Sequence, residues 1–290
     1  MPLGEMFGGP SSSSVLHTAS SGRCGISKGL RMSATPDMSA QEAGMPTVVL
    51  VHGAFAGSSS WNGVIANLRG RGYPVIAVAN PLRGVQKDAA YVRALLDSLS
   101  GPVVMAAHSY GGLVMTEAAA GASNVKALVY VASVSPDVGE SVIGLLGMYP
   151  GSQLATSINM VPIPSDDGGM TMDQYILQDK FPEVFAADVD PGTAEIMAAT
   201  QRPASASAQE EGVTKAAWKT IPSWTLITTQ DLGIPPDLQR FLADRAGSTA
   251  VEVAASHAVA VSQPGPVADL IDTAARATAR SMQMSKSRQG

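Results

Sequence analysis

The hexapeptide Ala107-His108-Ser109-Tyr110-Gly111-Gly112 decides the reading of this 290-residue chain. It stands between an apolar run at 103–107 that reads as a buried strand and a run at 113–120 that reads as a helix. A sharp turn from strand to helix holds a serine in a strained backbone conformation, with its hydroxyl raised above the sheet. Small residues are needed two before and two after that serine, because neighbouring backbones crowd there. Gly111 fills one position, and Ala107 fills the other, where glycine is the commoner choice. The competing reading is a glycine-rich turn that only starts a helix.

On both sides of the hexapeptide, strands and helices alternate. Residues 47–51 form a continuous apolar run, as in a strand covered on both faces. Trp61, Val64, Ile65 and Leu68 recur at helical spacing and stop at Gly70-Arg71-Gly72. A strand at 75–79 and a helix carrying Tyr91, Val92, Leu95, Leu96 and Leu99 precede the serine, and a strand at 128–132 follows it. Between 136 and 220 the rhythm breaks into prolines, the turn sequence Asp166-Asp167-Gly168-Gly169 and short helices, one of them Pro191–Thr200 with proline in its first turn. It resumes with a strand at 224–229, a helix through Leu238, Phe241 and Leu242, a strand at 249–254 and a last helix through Val267, Leu270 and Ile271. The expected fold class is α/β: a mainly parallel sheet of about six strands with helices on both faces. A helical lid, residues 136–220, is inserted after the fourth strand of a domain spanning 46–280.

A serine hydroxyl needs a general base within hydrogen-bond reach, and the chain has four histidines. His17 lies in the head, His108 adjoins the serine and should diverge from it, and His52 ends the first strand, where it pins loops. His257, just after the last strand, is left as the base. Asp231 follows the strand at 224–229 and can hold the imidazole tautomer, in the chain order serine, acid, histidine. The rival acid is Asp137, just beyond the fourth strand. Backbone N–H groups of Tyr110 and of the first-strand loop, Ala54 ahead of Phe55, are the expected donors to an oxyanion. Phe55, Leu145, Met148 and Tyr175 are expected to line the substrate pocket, in a Met-rich lid whose apolar residues could equally be ordinary packing.

Composition narrows the classes. Hydrophobic residues make up 45% and charged ones 15%, which excludes a disordered chain. A net charge of −5 and an aromatic content of 5% give nucleic acid no footprint, and no apolar run is long enough to span a membrane. No phosphate-binding glycine loop and no His or Cys pair at metal-ligand spacing occurs, so neither cofactor nor metal is expected. The single cysteine, Cys24, excludes a disulfide framework and a core thiol nucleophile. Residues 1–45 are Ser- and Gly-rich, with Arg23, Lys28 and Arg31 and few acids. They read as a targeting head for mitochondrion or plastid, a disordered tail, or a start codon called too early; cytoplasm is the default. Residues 281–290 read as a disordered, solvated tail. Oligomeric state is not readable.

The segments Val48-Val49-Leu50-Val51-His52-Gly53-Ala54, His108-Ser109-Tyr110-Gly111-Gly112, Asp231-Leu232-Gly233-Ile234-Pro235 and Ser256-His257 resemble the α/β-hydrolase superfamily. Within it they are similar to the branch of plant methyl esterases, hydroxynitrile lyases and small bacterial hydrolases. The resemblance implies Ser109 as nucleophile, His257 as base, Asp231 as acid and Ala54 and Tyr110 as oxyanion donors. Lyases of this branch resemble a pattern with lysine after the catalytic histidine and threonine in the first-strand loop; Ala258 and Gly53 stand there instead. Epoxide hydrolases and haloalkane dehalogenases use an aspartate nucleophile, against Ser109. The expected activity is serine hydrolysis of a small or medium ester, thioester or lactone. The alternatives are a slowly or non-catalytic ligand receptor on the same fold and, ranked below it, hydroxynitrile lyase or cofactor-free haloperoxidase activity.

Overall fold

The computed structural model describes residues 45–165 and 168–287. The head up to Gly44, with His17 and Cys24, and Asp166 and Asp167 of the expected turn lie outside the described residues. In chain order the first half runs β1 (Thr47–Val51), α1 (Asn62–Gly70), β2 (Val75–Val78), α2 (Val85–Ser98), β3 (Val103–Ser109), α3 (Gly111–Ala119) and β4 (Val125–Ser133). The insertion holds α4 (Val142–Leu146), β5 (Ile158–Pro164), β6 (Met170–Ile176), α5 (Phe181–Phe185), α6 (Pro191–Thr200), β7 (Ala204–Ser205) and α7 (Ala206–Glu210). The chain then completes β8 (Ser223–Thr228), α8 (Pro236–Arg245), β9 (Thr249–Val253), α9 (Val259–Ser262) and α10 (Pro264–Ser287).

Six strands pair in the order β2-β1-β3-β4-β8-β9, each neighbour parallel. Alternation along β1 shows why an uninterrupted apolar run is needed. Val48 and Leu50 pack with Trp61, Val64 and Leu68 of the α1 side and with Val267 and Ile271 of α10. Val49 and Val51 face the opposite way, into the core with Val92 and Leu96 of α2, Leu113 of α3 and Leu238 of α8. Both faces are covered, and each fully buried large side chain contributes about 1.5–3 kcal/mol. Because β1 lies between β2 and β3, the chain leaves β1 to one side and returns across it to the other. That reversal opens a crevice at the carboxyl ends of β1 and β3, where α/β sheets bind their ligands.

The insertion corrects the expectation of a helical lid. Beside short helices it contains a three-stranded antiparallel sheet, β5-β6-β7. Pro162 and Pro164 lie inside β5 and read in sequence as breakers. They are tolerated because β5 is the edge strand of this small sheet, where a missing N–H costs no ladder bond on the open side. α6 has the expected bounds, with Pro191 in its first turn and the Asp190 carboxylate accepting from the Thr193 N–H at 3.0 Å. The lid is fastened to the core by buried polar ties. Arg83 donates to Asp173 and, at 2.9 Å, to the Pro203 carbonyl. Glu117, buried in α3, accepts from the Thr214 N–H and hydroxyl and the Lys215 N–H at 2.6–3.0 Å. A second correction concerns the end of the chain. Helix α10 continues to Ser287, past the start expected for a disordered tail, through a stretch containing neither glycine nor proline.

Candidate active site

Ser109 is the last residue of β3 and sits at φ +52°, the left-handed region that a strand-to-helix elbow demands. Two glycines let the neighbouring backbones close around it. A Cβ on Gly53, at the exit of β1, would lie 2.6 Å from Ser109 Cβ, and one on Gly111 would lie 2.6 Å from the Val51 carbonyl oxygen. The Ser133 hydroxyl donates to the Ser109 carbonyl at 2.7 Å and pins the elbow from β4.

Asp231 and His257 come from the loops after β8 and β9, and the structure brings them together in full burial. His257 Nδ1 donates to Asp231 Oδ2 at 2.8 Å, with the two side chains at 1% and 0% exposure. Nδ1 is therefore the donor in this bond, and Nε2 is the ring nitrogen left outside it. Asp231 accepts five hydrogen bonds in all: Oδ1 from the Gly233 and Ile234 N–H groups, Oδ2 from His257, Thr228 and Gln239. Thr228 and Gln239 were not singled out in the sequence; Thr228, three residues before Asp231, was the visible clue. Asp137 is engaged elsewhere, accepting from Lys219 Nζ and the Val138 N–H at 34% side-chain exposure. Among the described residues no hydrogen bond joins the Ser109 hydroxyl to His257; such bonds commonly tighten only around a substrate.

The other two histidines hold this frame. His108 Nε2–H donates to the His257 carbonyl at 2.8 Å, and the two rings lie 4.6 Å apart. Burial, then the neighbouring His257, holds His108 well below its ordinary range, so it stays neutral. His52 Nδ1–H donates to the Gly53 carbonyl at 2.9 Å. Burial lowers its pKa from 6.5 to about 4. Between those values the unfolded chain binds the proton that the native imidazole refuses. The stability His52 brings is present above about pH 6.5 and is lost as pH falls toward 4. Both buried imidazoles contribute to the stability lost between pH 7 and pH 5, and in urea unfolding His52→Gln should reduce that loss by roughly 2 kcal/mol, with the share of His108 remaining; an unchanged loss in the variant would assign it elsewhere.

The first-strand loop and the start of α3 face the same crevice. Tyr110 precedes α3, and its phenol donates to buried Asp88 at 2.8 Å. The Phe55 N–H is taken by the Arg202 carbonyl at 3.1 Å, whereas no hydrogen bond to the N–H of Ala54 or Tyr110 is formed among the described residues. A serine elbow, an Asp-His pair and the first-strand loop thus come together at the sheet's switch point. A family model described as the alpha/beta hydrolase family matches residues 48–270. The chain belongs to the alpha/beta hydrolase family. It is 25% identical to the alpha/beta hydrolase nvfD of Aspergillus novofumigatus, over 79% of this chain and 96% of that one. Solved structures share its fold. A pyrethroid hydrolase from Sphingobium faniae JZ-2 has a TM-score of 0.65 at 22% identity, covering 81% of this chain and 99% of its own. Polyneuridine aldehyde esterase has a TM-score of 0.68 at 17% identity, covering 79% and 98%.

Phe55, 3% exposed and left-handed at φ +59°, forms part of the wall of two cavities of this hydrolase. One, of about 540 Å³, is walled by Ile143, Leu146, Tyr149, Leu154 and Met160. The other, of about 560 Å³, is walled by Ser59, Thr193, Ile196, Met197 and Arg202. Three residues expected in the pocket lie elsewhere. Leu145 is 1% exposed in the core, because one turn of α4 buries Val142 and Leu145 and presents Ile143 and Leu146 to the cavity. Met148 follows that helix at 50% exposure. Tyr175 pairs with Asn159 across the β5–β6 ribbon, and both line a separate cavity of about 380 Å³. Met160 and Gln174, one residue along, point to the Phe55 side, as strand alternation requires.

Among the described residues no group of three or more His, Cys, Asp or Glu could hold a metal ion, and no helix is long and apolar enough to cross a membrane.

Proposed function

We propose that this hydrolase cleaves small or medium carboxylic esters, thioesters or lactones through an acyl-enzyme on Ser109. The observation that carries the reading is the buried His257–Asp231 hydrogen bond beside the Ser109 elbow, which ties up Nδ1 and keeps Nε2 as the ring nitrogen for the serine proton. Ser109 Oγ attacks the substrate carbonyl carbon as its proton passes to His257 Nε2. Asp231 stabilises the imidazolium by charge and by the hydrogen bond it already makes. The Ala54 and Tyr110 N–H groups receive the oxyanion, each such donor being worth about 3–4 kcal/mol where measured in other enzymes. His257 then protonates the leaving alcohol or thiol, and the C–O or C–S bond breaks. Water attacks the acyl-enzyme, giving its proton to His257, and the acid leaves as Ser109 recovers its own. Neither metal nor organic cofactor takes part in this sequence. Its partner is a small molecule, and the apolar wall of Ile143, Leu146, Leu154 and Met160 near Phe55 favours a substrate with an apolar portion.

The test is trapping of the nucleophile. A fluorophosphonate is expected to abolish hydrolysis of short-chain p-nitrophenyl esters and to add one phosphonyl group to the peptide containing Ser109. Hydrolysis that persists with Ser109 fully labelled, or labelling at another residue that stops the reaction, would remove the mechanism.

A further inference from the structure

The two cavities at Phe55 differ in one respect that the reaction itself does not use. The cavity of about 540 Å³ is lined by no charged side chain. The cavity of about 560 Å³ is lined by Arg202 and by no Asp or Glu. Arg202 is partly buried, and its stem lies along the wall, so that a Cβ on Gly57 would sit 3.7 Å from Arg202 Cδ. Arg83, Arg93, Arg240 and Arg245 each pair with a carboxylate, but among the described residues none pairs with Arg202. Its guanidinium donates no hydrogen bond within the described chain either; only its backbone carbonyl is engaged, by the Phe55 N–H. A guanidinium on a cavity wall with no acceptor among the described residues is placed to take an anion that supplies one. The Arg202 backbone carbonyl holds the Phe55 N–H of the loop that leaves β1 at 3.1 Å, so the residue stands close to the reacting end of the sheet.

A structural explanation competes. α6 ends at Thr200, two residues earlier, and a cation near a helix carboxyl end is favourable. That attraction acts through the helix end and requires neither a cavity nor the neighbouring free hydroxyl of Ser59 on the same wall. It also predicts an effect on stability alone.

We infer that the Arg202 cavity receives a carboxylate carried by the substrate, so that the enzyme selects esters with an apolar group on one side of the reacting carbonyl and an anionic group on the other. The inference deepens the proposed hydrolysis and rests on that reading for its catalytic consequence, though the anion site stands on its own. A substrate carbonyl received by the Ala54 N–H would lie next to Phe55, the residue that walls both cavities, and a substrate reaching into both would place its apolar part against Leu146 and Met160. The carboxylate then closes on Arg202 as a forked, charge-assisted pair.

Two matched pairs of esters test which side carries the charge. Mono-p-nitrophenyl glutarate against p-nitrophenyl butyrate puts it on the acyl side, and 4-acetoxybenzoate against phenyl acetate on the alcohol side. With the full chain, one anionic member is expected to have a kcat/KM at least about tenfold above that of its neutral partner. Arg202→Gln should erase that advantage mainly through KM, Arg202→Lys should restore part of it, and neutral esters should stay within about twofold. Calorimetric binding of glutarate, lost in Arg202→Gln, reads the same site without turnover. Absence of any anionic preference in the natural protein, or its persistence in Arg202→Gln with only the melting temperature lowered, would overturn the inference. Arg202-dependent glutarate binding without ester cleavage would keep the anion site and remove the hydrolytic reading. Neutral-ester cleavage with neither preference nor glutarate binding would do the reverse.

Discussion

Purified Ser109→Ala protein is expected to hydrolyse p-nitrophenyl esters with kcat reduced by roughly 10⁶, at nearly unchanged KM. The substitution removes one oxygen from a side chain at 8% exposure and adds no volume to a crowded elbow. Its backbone stays at φ +52°, held by the Ser133 hydroxyl on the Ser109 carbonyl, a bond that does not involve the deleted atom. The melting temperature should therefore move by only a few degrees, and the loss reads chemistry rather than folding. What remains is the action of the Ala54 and Tyr110 donors on a bound ester, with water as a poor nucleophile. A variant retaining more than about a hundredth of the activity would place the reacting group elsewhere.

Asp231→Asn is expected to lower kcat by roughly 10⁴ while the protein still folds. The natural carboxylate satisfies five donors at once. An asparagine that keeps its oxygen on the Gly233 and Ile234 N–H groups turns its NH₂ toward His257 Nδ1, Thr228 and Gln239. The imidazole must then carry its proton on Nε2, where it cannot accept one from Ser109, and the Gln239 amide meets a second donor. The opposite flip preserves the tautomer but sets the NH₂ against two backbone donors. Either way the loss falls on kcat, and raising the pH should not restore it fully, because the wrong tautomer is neutral. An Asp231→Asn enzyme within tenfold of the natural one would show that the acid comes from another residue.

How much of this was legible in the sequence depended on whether the signal was local. The parallel strands declare themselves as apolar runs because both faces are covered, and α6 has both its capping aspartate and its first-turn proline in place. Ser109, Asp231 and His257 each follow a readable strand, so their convergence at one sheet edge follows from topology. The lid sheet was hidden by Pro162 and Pro164, which break strands except at an edge, and nothing local announces an edge. Leu145, Met148 and Tyr175 have the right chemistry for a pocket, but helix rotation and strand alternation send them elsewhere and put Leu146, Tyr149 and Gln174 on its walls. Contacts such as Tyr110 to Asp88 and Gln239 to Asp231 join residues 22 and 8 apart through side chains alone, leaving no periodic trace.

The ties between lid and core separate two jobs that substitutions can act on independently. Arg83, Asp173 and Glu117 fasten the roof, while Ile143, Leu146, Leu154 and Met160 shape the space beneath it, and the two sets share no member. Each can drift without disturbing the other. Exchanges of one apolar wall residue for another redraw the room available to a substrate while the rivets hold the ceiling at its height above the serine. An ancestor built this way can change the substrates it admits by small steps that leave the ties of the lid in place.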